Sequence, residues 1–422
     1  MYACNKKHTI REYEGFTRGS AVYGYAGLPE KTFDALEGFI LANNQQDGTE
    51  VIELLSLSAR RGVGKIITAR NYVGLIAMAD GTVIEILPKI ANDDLSEADT
   101  KKVFLEMLKA LKDMPFKDFN VSHLDVGRLS LFEIFIKMFL DEVAVLTKQG
   151  LKAAYTPVEV NDRFYKGKLL ASHNIKHNLV SKERFFVRYD AFSIDRSENR
   201  LIKSALRLLV KATGDGHNRQ TATRLLTFFE GTECSTNIDV DFSKCFLDRS
   251  MTHYNKVLSW CRVFLCGNSF TAFAGSEVAL ALLFPMEKVF ESFVAAKLRK
   301  HSKGALSLRV QDNRYSLFDS PAKAFALKPD IVLDDGNDVV VMDTKWKMLS
   351  TSMRNYGISQ NDMYQMYAYS KKYSAKKIVL IYPQSDKFLG ADISFLSNDA
   401  VTVAVAFIDL LQPDVSVAAL LE

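Results

Sequence analysis

The segment from Lys328 to Lys345 leaves the chain little choice of local fold. It reads Lys-Pro-Asp-Ile-Val-Leu-Asp-Asp-Gly-Asn-Asp-Val-Val-Val-Met-Asp-Thr-Lys. Two apolar runs flank a polar turn, which is the pattern of a β-hairpin. With Gly336-Asn337 as a two-residue loop, Asp335 faces Asp338 and, counting outward, Asp330 faces Asp343. Directly opposed residues share a face, with Cβ atoms about 4.5–5.5 Å apart. A loop at Asp335-Gly336 would shift Asp343 by two and keep it on that face; only an odd-length loop or a bulge would separate the pair. Lys345 lies two residues beyond Asp343, so strand alternation brings it to the same side.

Opposed like charges destabilise a strand pair, so two carboxylates here need something to offset them. A divalent cation does so economically. Carboxylate oxygens completed by water and phosphate suit Mg2+, which polarises a phosphodiester and acidifies a water. Lys345 can then orient that water or neutralise charge in the transition state. The competing reading is a surface hairpin with solvated acids, and spacing alone does not choose between the two. Glu291, on a helix before the sheet, is a candidate third ligand, and Glu287 one turn earlier competes with it. For each, an exposed helix glutamate is the plainer alternative. Gln365 and Tyr369 are i and i+4 on a later helix and share a face. They suit phosphate contact or holding the lysine, unless Tyr364, Tyr367, Tyr369 and Tyr373 merely pack.

The periodicities on either side predict an α/β chain. Strands are expected over 51–58, 65–70, 72–79 and 82–90, with Asp80-Gly81 as a hairpin turn. Ser96 caps a helix through Leu111, and a second helix spans 129–148 with Gly150 as its stop. A strand at 185–189 and helices at 199–211, 220–229 and 251–265 follow. Then come a helix at 286–299, strands at 305–310, 327–333 and 339–344, a helix at 360–373, and strands at 377–382 and 401–407. Helices covering a short mixed sheet are the architecture this order implies. Three domains are expected: a β-rich one over 1–160, a mostly helical connecting region over 161–275, and the hairpin-bearing domain over 276–422.

Hydrophobic residues are 48% of the chain and charged residues 25%, which excludes a disordered or collagen-like polymer. The apolar run Val278 to Phe284 falls far short of the ~20 residues of a membrane helix, and no secretory pattern follows Met1. A soluble, cytoplasmic protein with no membrane partner is expected. The net charge of +4 permits an anionic partner without demanding one. Cys4, Cys234, Cys245, Cys261 and Cys266 include no CxxC pair, so buried thiols are expected at 261 and 266 rather than zinc ligands. His173 and His177 lack a third ligand signal. Gly62-Val63-Gly64-Lys65 fails as a phosphate loop, because position 59 is Ala and position 66 is Ile. It reads as a glycine-rich turn, and the chain is not expected to bind a nucleotide itself.

Pro329-Asp330 with Asp343-Thr344-Lys345 resembles the signature of PD-(D/E)XK nucleases, and Gln365-Met366-Tyr367-Ala368-Tyr369 is similar to the QxxxY motif of their RecB-like branch. More narrowly, the chain resembles the McrC family, nuclease subunits of McrBC modification-dependent restriction systems. The segments that carry this are Asn71-Tyr72-Val73-Gly74-Leu75-Ile76, Ile84-Glu85-Ile86-Leu87-Pro88-Lys89-Ile90, Asp195 with Asn199-Arg200, Met286 with Phe290-Glu291, and Asp362-Met363-Tyr364-Gln365. Tyr165-Lys166-Gly167-Lys168 stands where the family pattern has Leu-Arg-Gly-Arg, so lysine point charges replace arginine forks.

The resemblance implies a restriction-endonuclease-like mixed sheet in the third domain and an N-terminal domain that docks on a hexameric AAA+ GTPase, McrB. It implies a Mg2+-dependent DNA endonuclease that cuts methylated double-stranded DNA while stimulating that GTPase. Asp330, Asp343 and Glu291 would hold the metal, Lys345 would position water, and Gln365, Tyr369 and Lys347 would contact DNA or support the site. Pairing of the nuclease domain with a second copy and the role of residues 1–50 stay open. Two rival readings remain: a stand-alone RecB-like repair nuclease, and an inert adaptor that activates a motor.

Overall fold

A computed structural model describes residues 6–44, 54–78, 80–90, 95–111, 115, 126–245, 251–266, 278–302, 307–388 and 392–421. The fold is α/β with mixed sheets, as expected. Contacts group the chain into two compact units, residues 1–5 with 132–268, and residues 6–131 with 269–422. This division differs from the three consecutive segments read from the sequence, because strands distant along the chain share a sheet.

In the larger unit, one four-stranded sheet has the order Lys6–Arg11, Thr82–Leu87, Tyr72–Met78, Val278–Pro285. Lys6–Arg11 runs parallel to its neighbour and the other pairs are antiparallel. Every residue of Tyr72–Met78 and Thr82–Leu87 is buried. The second of these strands ends at Leu87, three residues before the expected Ile90. Asp80-Gly81 makes the expected turn, with Gly81 at φ +86°. A second sheet, in the order Ala26–Leu28, Gly15–Arg18, Gly64–Ala69, Leu55–Arg60, shares a core with the helix Glu30–Asn44 through Phe16, Phe33, Leu36 and Ile67. Gly62 and Gly64 turn between its last two strands with φ +82° and +90°. Gly64 therefore opens a strand, not the helix N-terminus that a phosphate loop uses.

Gly74 shows why one glycine is needed in the first sheet. Its φ is +145°, and a Cβ there would lie 1.9 Å from the Leu282 carbonyl oxygen. Gly74→Ala is expected to destabilise this unit by about 3–5 kcal/mol, the range of a severe backbone clash. A denaturant midpoint equal to the parent's would contradict that close approach.

The same unit carries a six-stranded sheet in the order Ser307–Val310, Ile331–Asp334, Val339–Thr344, Lys377–Pro383, Thr402–Ile408, Ile393–Leu396. The central three strands are parallel and the edge pairs antiparallel. The helix Gln360–Tyr373 covers one face, packing Met366, Tyr369 and Tyr373 on Val341, Ile378 and Leu380. Its limits follow from local chemistry: Ser359 Oγ accepts the Asp362 N–H (3.1 Å), and Ser374 ends it in the left-handed region. The expected strand over 327–333 is shorter, Ile331–Asp334, and the described chain adds a small hairpin, Ser316–Phe318 with Ala324–Ala326.

The smaller unit contains the helices Leu131–Gln149, Ser197–Ala212, Gly216–Thr227, Ile238–Lys244 and Thr252–Cys266. Gly150 stops the first at φ +90°. The buried Glu133 carboxylate is satisfied by Thr213 Oγ1 (2.6 Å), Gly214 N–H (2.7 Å) and Asn218 Nδ2 (2.8 Å). Of a three-stranded sheet, Ala154–Asp162, Phe185–Ser193, Lys168–Leu169, only the central strand was expected, over 185–189. Pro157 obscures its first strand, and proline is tolerated there because the strand is an edge. His173 and His177 stack on Phe186, with centroids 5.0 and 5.4 Å away. Cys261 is a buried free thiol, as expected, whereas Cys266 is only partly buried.

Candidate functional site

The hairpin register agrees with the count from the sequence. Asp334 pairs with Val339 and Ile331 with Met342; Asp330 lies one residue before the paired strand, and continuing the same register sets it opposite Asp343. Gly336 takes the loop at φ +92°, while Asp335 Oδ1 accepts the N–H groups of Asn337 (2.9 Å) and Asp338 (2.7 Å). The turn is thus held by its own side chain.

Asp330 is locked from two sides. Its Oδ2 accepts the N–H and the hydroxyl of Thr344, each at 2.8 Å, and its Oδ1 accepts Gln311 Nε2 at 3.2 Å. Burial pushes its pKa up, and the Thr344 hydrogen bonds pull it back. Asp343 is 2% exposed. Burial, then the charge of Asp330, raise its carboxyl to about 7. The Lys345 ammonium stands 2.7 Å from Asp343 Oδ2. This approach is a close ion pair of a buried carboxylate with a partly buried ammonium.

Lys345 sits among acceptors. Its Nζ lies 3.6 Å from Asp362 Oδ1 and 3.5 Å from Gln365 Oε1. Gln365 Nε2 in turn donates to Tyr369 Oη at 2.7 Å. Burial disfavours the ammonium, yet Asp343, Asp362 and Asp330 together outweigh burial and raise its pKa. It is therefore a cation at neutral pH. Gln365 reaches the lysine, and Tyr369 reaches only Gln365; Tyr373 packs in the core, and Tyr364 and Tyr367 are exposed. Lys347 donates to the Gly357 carbonyl at 2.5 Å.

Glu291 stands beside Asp330 with the Gln311 amide between them, its Oε1 accepting Gln311 Nε2 at 2.6 Å. Burial and the charge of Asp330 raise its pKa. Among the described residues no group of three or more His, Cys, Asp and Glu is arranged to hold an ion. The donors that fit Mg2+ are the carboxylate oxygens of Asp330 and Asp343. Such an ion keeps several waters and needs only one or two carboxylates.

Asp330, Lys345, Asp362, Lys328, Lys347 and Glu291 line a cleft of about 1380 Å³, with Asp343 buried behind Thr344 and Lys345. Glu287 also lines it, and its Oε1 lies 3.4 Å from Asn71 Nδ2. Sequence reasoning missed Asp362, although its place three residues before Gln365 puts it on the same helix face. It also missed Gln311 and Thr344 as the groups that fix Asp330. Nothing local marks Gln311. Among the described residues no helix is long and apolar enough to cross a membrane.

A comparison with curated proteins found no match. Among solved structures, a chain of the refined half-complex from the tetradecameric assembly of Thermococcus gammatolerans McrB AAA+ hexamers with bound McrC has a similar fold. The TM-score is 0.73 at 21% identity, covering 99% of this chain and 99% of that one. A chain of the cryo-EM structure of the Thermococcus gammatolerans McrBC complex gives 0.52 at 21% identity, over 71% of this chain and 89% of that one. At this identity the likeness establishes the fold. The family described as "McrBC 5-methylcytosine restriction system component" matches residues 67–383, which is most of the sequence. The chain therefore belongs to the McrBC restriction-system component family.

Proposed function

We propose that this chain is the Mg2+-dependent DNA endonuclease subunit of a McrBC-type restriction system, with a PD-(D/E)XK site at its C-terminal sheet. The observation that carries the reading is the shared rung of Asp330 and Asp343 with Lys345 paired to Asp343, beside an open cleft. A hairpin with no function has little reason to bury two opposed carboxylates.

In this reading Asp330 and Asp343 hold the cation, which supplies Lewis-acid charge for phosphodiester hydrolysis. Thr344 keeps Asp330 aimed. Lys345 stays protonated and presents its ammonium to water or to the developing phosphorane charge. Asp362 and Gln365 limit the directions in which that ammonium swings. Lys328 and Lys347, on the cleft wall, meet DNA phosphates. Glu291 acts through Gln311 rather than as a direct ligand.

The half-complex that this fold resembles contains McrB AAA+ hexamers with bound McrC. By that likeness we propose an AAA+ hexamer as the partner, and from the resemblance in the sequence we propose further that it is a GTPase and that the pair acts in the cytoplasm on methylated double-stranded DNA. The test is reconstitution with that GTPase. Cleavage of methylated plasmid is expected only with GTP, Mg2+ and both proteins present, and chelation is expected to stop it. Cutting by this chain alone would favour a stand-alone nuclease. No cutting under any of these conditions would leave an adaptor as the better reading.

A further inference from the structure

A buried acid joins the N-terminal sheet to the candidate site. Glu12 follows the strand Lys6–Arg11 and has no exposed surface. Its Oε2 accepts the Lys89 N–H at 3.0 Å and the Trp346 indole N–H at 3.0 Å, and its Oε1 lies 3.2 Å from the same indole nitrogen. Its own N–H donates to the Leu87 carbonyl at 3.0 Å, so the backbone beneath it is part of the sheet. Trp346 is the residue directly after Lys345. It is 7% exposed, and its ring packs on Phe290 with centroids 5.4 Å apart.

The neighbouring residues hold the same region from the other side. The Met286 N–H donates to the Asn71 carbonyl at 2.9 Å, and Tyr13 Oη donates to the Asn71 side chain. The end of the N-terminal sheet thus holds both the start of the helix that carries Glu291 and the exit of the strand that carries Asp343 and Lys345.

We propose that Glu12 is a positioning residue of the site: it fixes the Trp346 indole, and through it the direction in which Lys345 leaves the sheet. The inference rests on the nuclease reading above. The backbone is where such a fix has effect. The Lys345 N–H still bonds the Ile381 carbonyl at 2.8 Å, but by Lys347 the chain has turned back on itself, its N–H meeting the Lys345 carbonyl at 3.0 Å. Trp346 is the residue between, so its anchoring sets where that turn begins. A carboxylate is a poor choice for stability alone, since an apolar residue of similar volume avoids the desolvation of a buried charge. Local rules broken without a stabilising gain are characteristic of functional sites.

The test uses the full chain with its GTPase partner and reads kcat and KM for DNA cleavage. Trp346→Phe keeps an aromatic ring beside Phe290 and removes the indole N–H together with the five-membered ring that carries it. Glu12→Ala removes the acceptor. Both are expected to lower kcat about tenfold or more with KM unchanged, since small misplacements of reacting groups cost on the order of 10–100-fold. Glu12→Gln leaves a carbonyl oxygen for both donors and is expected to stay within about twofold of the parent.

A second readout does not depend on activity. The chain has two tryptophans, so an indole-15N spectrum shows two resonances, and Trp346→Phe identifies the one that belongs to Trp346. That resonance is expected to move upfield in Glu12→Ala and to stay close to its place in Glu12→Gln. A parental kcat in Trp346→Phe would overturn the proposal, even if Glu12→Ala failed to fold. A raised KM at parental kcat would overturn it too, making Glu12 part of the DNA contact. An unmoved resonance in Glu12→Ala would refute the contact itself. Absence of cleavage by the parent protein would instead overturn the nuclease reading and leave the indole measurement standing.

Discussion

Asp343→Ala and its volume-matched counterpart Asp343→Asn are expected to cut DNA at least about a thousandfold more slowly than the parent protein. Either change removes one of the two carboxylates that can hold the cation. Metal charge stabilisation is worth several kcal/mol in such transition states, and each 1.36 kcal/mol is about tenfold in rate. The fold is expected to survive. Asp343 is buried opposite Asp330, and burial and that neighbouring charge both disfavour its ionised form. Removing it relieves that repulsion while giving up the 2.7 Å ion pair with Lys345. Lys345 keeps Asp362 at 3.6 Å and Gln365 at 3.5 Å. Stimulation of the partner's GTP hydrolysis is expected to be unchanged, because that readout does not use the hairpin. The measurement is paired: plasmid cleavage and phosphate release from GTP in one reconstituted mixture. Cleavage at the parental rate by either variant would refute the assignment of Asp343. Loss of GTPase stimulation together with cleavage would mean that the hairpin serves the assembly rather than the chemistry.

The parts of this site that the sequence revealed are those set by short-range rules. The opposition of Asp330 and Asp343 follows from a two-residue loop and a period of two, and both are local. The helix Gln360–Tyr373 was legible to the residue because Ser359 caps it and the apolar stripe fixes its face. What could not be read depends on approach between distant segments. Val278–Pro285 was noticed only as an apolar run too short for a membrane, yet it is a strand whose partner is Tyr72–Met78. The helix that carries Glu291 is legible from its apolar stripe, whereas the Gln311 amide that links it to Asp330 comes from a different segment. The tie between Glu12 and Trp346 joins residues separated by 334 positions. No propensity or spacing rule reaches that far, and a buried carboxylate near the N-terminus has no signature in composition.

Glu12→Gln is expected to make the protein more stable at pH 8, by up to about 3 kcal/mol, and to make little difference at pH 4.5. Burial, the largest cause, raises the Glu12 carboxyl from 4.5 to about 7, against the hydrogen bonds from Lys89 and Trp346 that favour its charge. A carboxylate with a raised folded-state pKa binds a proton in the native chain over a range where the unfolded chain has lost it. Stability from this group is therefore complete below about pH 4.5 and declines as the pH rises through about 7. At 1.36 kcal/mol per pKa unit the accumulated loss is about 3 kcal/mol. Glutamine carries no charge at any of these pH values, and its carbonyl oxygen can replace Glu12 Oε2 toward both donors, so its stability lacks this slope. The other perturbed acids, Asp330, Asp343 and Glu291 among them, titrate in both proteins and cancel in the difference. Unfolding midpoints in urea at several pH values between 4.5 and 8 read the gap directly. A gap that stays constant across that range would show that Glu12 titrates as an ordinary surface glutamate does. A gap that opens with pH, alongside unchanged cleavage by Glu12→Gln, would show that the oxygen at this position matters to the site and the charge does not.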